Sequence, residues 1–124
     1  MTEFPNKISK YDLEERTAVF GENAIELCKQ VKQDAITKPI ISQIIRSATS
    51  TGANYCEANA ASSRKDFRNK IFICKKEIQE TKHWLRMLAR CVPDKKNEIR
   101  KLWQEAQELT LIFQKITSSL KKNN

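Results

Sequence analysis

Phe67, Ile71, Cys74, Ile78, Thr81, Leu85 and Leu88 follow one another in strict steps of four and three. That spacing lines seven side chains along one stripe of a helix, whereas a strand would alternate every second residue. A helix from Arg64 to about Val92, stopped by Pro93, is therefore the regular element this run specifies. Three more blocks carry the same signature. Leu13, Thr17, Phe20, Ala24, Leu27 and Val31 form a first stripe, with Asp12 placed to cap it and Glu15 at the third helical position. Ile41, Ile45, Ala48, Gly52 and Tyr55 mark one face of a second helix over Lys38 to about Ala60, whose start is signalled by Thr37 and Pro39. Ile99, Leu102, Ala106, Leu109, Phe113, Ile116 and Leu120 mark a fourth, with Asp94 as its expected cap and with Trp103 and Ile112 widening its face.

Only two Gly and three Pro interrupt 124 residues, so long helices with short connections are favoured over a sheet-rich fold. The expected fold is all-α, an antiparallel up-down-up-down four-helix bundle over residues 11–122, preceded by a loose arm at 1–10. No apolar run exceeds the four residues Ile71 to Cys74, so no segment is long enough to span a membrane. The start of the chain has no apolar signal-peptide core, which argues for a cytoplasmic protein. The four cysteines, at 28, 56, 74 and 91, fall within predicted helices among apolar neighbours and read as buried free thiols.

The stretch from Gly52 to Phe67 reads as a helix end, a tight corner and the capped start of the longest helix. Gly52 inside a helix costs about 1 kcal/mol against Ala, and close approach of another backbone is the usual structural reason. Asn54 and Glu57 lie among small apolar residues, where unpaired polar groups would be costly, and so are expected to tie the corner together. Ser63-Arg-Lys-Asp66 fits a capping box: Ser63 accepts from the amide of Asp66, and Asp66 reaches back to the cap amide.

Chemistry is sparse. Two separated glycines form no phosphate loop, and His83 is the one histidine. Glu80-Thr-Lys-His83 has the Glu-x-x-His spacing of di-iron bundles, but such sites need a second copy with further glutamates. No catalytic residues, metal, cofactor or small-molecule substrate are expected. Charge is more telling. The formal net charge is +8, and residues 64–92 hold nine basic side chains against three acidic ones, while residues 12–34 hold three against six. Arg68, Lys75, Lys82, Arg86 and Arg90 fall within an arc of about 80° on the third helix, the footprint of a phosphate-backbone contact. Ordinary solvated cations, partly paired with Glu77, Glu80 or the acidic first helix, would produce the same pattern. Ile73, Trp84, Met87 and Cys91 form a second apolar set about 115° from the main stripe, which suits a flanking helix or a contact between subunits.

Tyr11-Asp-Leu-Glu-Glu-Arg-Thr17 with Phe20, Ile45-Arg-Ser47, Gly52-Ala-Asn-Tyr55, Glu57-Ala-Asn59, Ser63, Lys65-Asp-Phe67, Lys76-Glu77 and Trp84-Leu-Arg86 together closely resemble the bacterial four helix bundle protein family. Members of that family include proteins encoded by intervening sequences within large-subunit ribosomal RNA genes. Relatives commonly carry Glu-Gly where this chain has Glu57-Ala-Asn59. The resemblance implies a left-handed antiparallel bundle, assembly into a homopentameric ring and no enzymatic activity. It also implies kinship with the basic pentameric accessory proteins of diversity-generating retroelements, which bind nucleic acid and a reverse transcriptase. Two functions follow as expectations: an oligomeric protein that binds RNA or DNA through the phosphate backbone, or a protein-interaction scaffold whose basic face serves only solubility.

Overall fold

Asp12 opens the first helix, its carboxylate accepting from the Glu15 N–H at 3.1 Å. This helix, α1, spans Leu13–Lys29. The second, α2, spans Thr37–Asn59, the third, α3, Arg64–Cys91, and a short 3₁₀ turn at Pro93–Lys95 leads into α4, Lys96–Lys122. The computed structural model describes residues 12–122, so the arm expected at 1–10 and Tyr11 lie outside the described residues.

The entry to α2 is capped from further back than the sequence pattern suggests. Asp34 Oδ1 accepts from the N–H groups of Ile36 and Thr37, both at 2.8 Å, while the Thr37 hydroxyl donates to the Lys32 carbonyl at 2.8 Å. The two backbone hydrogen bonds, that from Thr37 foremost, hold the Asp34 carboxyl below its ordinary value. The cap expected from Asp94 is not seen: among the described residues no hydrogen bond of its side chain reaches an α4 amide. Asp94 sits inside the 3₁₀ turn, which places it before α4 rather than at its threshold, and the turn has no side-chain cap.

Successive helices pack against one another, α1 and α4 meet over a shorter length to close the ring, and the backbones of the diagonal pairs stay apart. Cross-helix contacts fix the directions. Arg46 reaches Glu77, the Cys74 thiol faces the Thr51 carbonyl and Lys70 reaches Glu57, so α2 and α3 run antiparallel. Arg16 reaches Glu105 while Lys95 reaches Gln30, so α1 and α4 do too. Asn59 meets Glu14, and Lys82 meets Gln107, which sets the remaining two pairs. The molecule is an all-α antiparallel four-helix bundle.

The stripes of α1 and α3 enter the core as their spacing predicts: Phe20, Ala24, Ile71, Cys74, Ile78, Leu85 and Leu88 are at most 1% exposed. The face of α2 is rotated from the expected one. Ile44, Ser47 and Thr51 are fully buried and Ile45 only half-buried. Polar residues reach the core because their hydroxyls are satisfied locally: Ser47 donates to Gln43 O at 2.9 Å and Thr51 to Ser47 O at 2.9 Å. Thr81 on α3 joins them, 2.7 Å from Ser47 Oγ.

Gly52 meets α1 closely. A Cβ there would lie 3.3 Å from the Thr17 carbonyl oxygen, tighter than ordinary contact. The corner beyond it departs from expectation in two respects. Asn54 Nδ2 donates to the Ser50 carbonyl of its own helix at 2.9 Å, so it does not tie the corner. Ser63 Oγ accepts from the Asp66 N–H at 3.0 Å, but among the described residues no return bond reaches the Ser63 amide, consistent with the shorter reach of Asp compared with Glu. Glu57 does span the corner, pairing with Lys70 at 2.6 Å on the surface.

The cysteines divide. Cys28 and Cys74 are buried, Cys91 is half-buried and Cys56 is exposed. Burial pushes the Cys28 thiol up to about 11 and the Cys74 thiol up to about 12. Since the thiolate is the reactive form, a disulfide reagent at pH 8 should modify Cys56 within seconds to minutes and leave Cys28 and Cys74 untouched until denaturant is added. Native modification of all four thiols at one rate would contradict this packing.

Candidate nucleic-acid interface

The steps of seven and four that join Arg68, Lys75, Lys82, Arg86 and Arg90 return the α3 helix to nearly the same angle, so all five share one side. Arg86 and Arg90 are exposed, while Arg68, Lys75 and Lys82 are half-buried. The Arg68 Nε is shielded from water and has no hydrogen-bond partner among the described residues. Lys82 donates to Gln107 Oε1 and places its ammonium 4.8 Å from the centre of the Trp103 ring, a cation–π contact with α4.

Acidic neighbours do not neutralise the stripe among the described residues. Among the described residues none of the five cations lies within ion-pair distance of a carboxylate. Two of the three acidic groups of α3, Glu77 and Glu80, are engaged on its other flank. Glu77, only 8% exposed, binds Arg46 of α2 at 3.0 Å and Lys76 at 3.7 Å, and Glu80 binds Arg46 as well. Burial pushes the Glu80 carboxyl up, but the hydrogen bonds from Arg46 and Trp84 outweigh it and hold the group below its ordinary value. The acids of the first helix are not paired with the stripe either: Glu14 accepts from Asn59 at 3.0 Å and Glu26 pairs with Lys29 at 3.5 Å, while Arg16 forms a two-pronged bond to Glu105 of α4, at 2.7 and 2.9 Å. Arg86 and Arg90, exposed and without an ion-pair partner among the described residues, are thus left to act on solvent and on whatever anion approaches.

Sequence reasoning missed what lies beside the stripe. A groove of about 430 Å³ runs between the end of α3 and the start of α4. Leu85, Ala89, Ile99 and Trp103 form its apolar floor and wall, and Arg86, Lys96 and Arg100 stand at its edge. Trp103 keeps 36% of its surface exposed and Phe72, within the turns that carry Arg68 and Lys75, keeps 43%. The Lys/Arg spacing of α4 contained the signal for Lys96 and Arg100, but only the register of α3 on α4 brings them to Arg86.

The four residues expected at a subunit contact are not left bare by the single chain. Ile73, Trp84, Met87 and Cys91 are all half-buried, and Trp84 packs against the core with its Nε1 donating to Glu80 at 3.4 Å. His83 is exposed and meets the Trp84 ring edge-on, centres 4.9 Å apart. Among the described residues no three His, Cys, Asp or Glu side chains gather as metal ligands, and no helix is long and apolar enough to cross a membrane.

Residues 9–115 match the family described as 23S rRNA-intervening sequence protein. The chain belongs to this family. A crystal structure of a protein of unknown function from the S23 ribosomal protein family of Bacteroides thetaiotaomicron superposes on it with a TM-score of 0.75 at 30% sequence identity, covering 84% of this chain and 96% of that one. No curated protein sequence matches. For this intervening-sequence family member, the four-helix architecture is therefore common to a solved relative, while neither description assigns that relative a reaction.

Proposed function

We propose that the chain is a non-enzymatic, oligomeric protein that associates with nucleic acid, RNA foremost, through the phosphate backbone. The observation that carries this reading is the α3 cation stripe, which has no carboxylate partner among the described residues although α3 holds Glu77 and Glu80. Backbone contacts of this kind position a nucleic acid without reading its sequence, so affinity should depend strongly on salt and weakly on base order. The family description refers to an intervening sequence of ribosomal RNA and names no binding partner. Assembly into a homo-oligomer, five chains by the resemblance, would repeat the stripe around a ring and multiply weak contacts.

One observation favours a scaffold instead: Lys82 is engaged by Gln107 and Trp103, and Arg68 is half-buried, so two of the five cations have structural roles inside the chain. The test is binding of a structured RNA and a DNA duplex to the wild-type chain across a salt series. The proposal expects tight binding at low salt that falls steeply towards physiological salt. Indifference to both probes at low salt would give the field to the scaffold.

A further inference from the structure

The groove between α3 and α4 has a composition that bare phosphate binding does not require. An exposed indole and three aliphatic side chains line it, and three cations stand at its edge with no carboxylate among the lining residues. A duplex offers such a place only phosphates, because its bases are stacked inside. A single strand offers an unstacked base together with the phosphates on either side of it.

We infer that this groove is a single-strand subsite that takes one unpaired nucleobase against Trp103, with the flanking phosphates held by Arg86, Lys96 and Arg100. The inference deepens the nucleic-acid reading above and rests on it. The volume falls within the range of small-ligand sites, roughly 300–1,000 Å³, which suits one base and not a helix. Lys82 approaches the Trp103 ring from the side of Gln107, one turn further along α4, whereas Lys96, Ile99 and Arg100 occupy the preceding turns. The indole therefore carries a cation over its ring and also lines the groove. Charge complementarity selects the occupant. An acidic peptide would match the rim as well, but the exposed indole among three cations offers what a single strand supplies at every step, a flat base flanked by phosphates.

The test uses the full chain with two 12-nucleotide probes, a single strand carrying one 5-iodouridine and the same strand in duplex. On irradiation at low salt, the single strand should crosslink to Trp103, located by mass spectrometry of the digested adduct. Trp103→Ala should weaken single-strand binding about tenfold or more, in the range of losing one stacked base, and change duplex binding less than twofold. Trp103→Phe, which keeps a ring, should recover most of the loss, and circular dichroism checks that both variants fold. Single-strand binding with no Trp103 adduct and no effect of Trp103→Ala overturns the subsite while leaving the phosphate-backbone reading standing. Failure of both probes to bind overturns both. Displacement of the oligonucleotide crosslink by an acidic aromatic peptide bound more tightly than the strand would assign the groove to a protein and also overturn the inference.

Discussion

A chain in which Arg86, Arg90 and Arg100 are all replaced by Glu should lose about a hundredfold or more of its affinity for RNA or duplex DNA at low salt. The three side chains are exposed and free of ion pairs among the described residues, so reversing them breaks no ion pair there. Arg68 and Lys82 are kept because one is half-buried with its Nε shielded and the other holds Gln107 and Trp103. Each reversal changes the charge by two units, taking the formal net charge from +8 to +2. For duplex DNA the slope of log affinity against log salt should flatten by about 3, since each lost phosphate contact contributes about 0.9. Light scattering after size exclusion must first show equal assembly of variant and wild type, at a mass of several chains. Unchanged affinity and slope in a correctly assembled variant would place the binding surface elsewhere.

Gly52→Leu should destabilise the fold by roughly 1–3 kcal/mol, the range for overpacked sites. The Cβ alone would press to 3.3 Å on the Thr17 carbonyl oxygen and 3.4 Å on the Thr17 carbonyl carbon, and a leucine adds three further carbons at this contact. Relief would require α1 to move away from α2, opening the contact that buries Thr17 and Ala48. Gly21 provides the contrast. A Cβ there meets Thr49 Cα at 3.5 Å, an ordinary contact, so Gly21→Ala should instead stabilise by about 0.5–1 kcal/mol through helix propensity. Urea unfolding of both variants measures the pair. A neutral Gly52→Leu, or equal effects of opposite expectation at the two glycines, would remove the close-approach account.

The four helices and the buried stripes of α1 and α3 were legible because apolar spacing of three and four has one regular solution. The face of α2 was not, since Ser47 and Thr51 count as polar in a sequence yet bond their own helix and enter the core. Thr37 and Pro39 signalled the start of α2, but its cap comes from Asp34, an acceptor three residues before Thr37. Asn54 illustrates the converse, a polar residue in an apolar setting that satisfies itself against Ser50 and bridges nothing. Cys56 was read with its apolar neighbours, but it lies on the outward side of α2. The cation stripe belongs to one helix and could be counted. The groove belongs to two, and no single-helix pattern joins Arg86 to Lys96, Arg100 and Trp103.

The alternation of helix direction has an electrostatic consequence at the groove. Aligned peptide dipoles leave about half a positive charge at a helix start and half a negative one at a helix end. Each end of this bundle carries two of each, so the backbone fields largely cancel and side chains decide the sign. At the start of α4, however, Lys95 and Lys96 stand beside the positive pole with Asp94 withdrawn into the turn and Glu98 as the acid of the first turn. Cations there weaken a helix by about 0.3–1 kcal/mol apiece at exposed sites. If the proposed polyanion binds there it would reverse that penalty, so the chain should melt at a higher temperature with RNA than without it, and replacing Lys95 and Lys96 should shrink that difference.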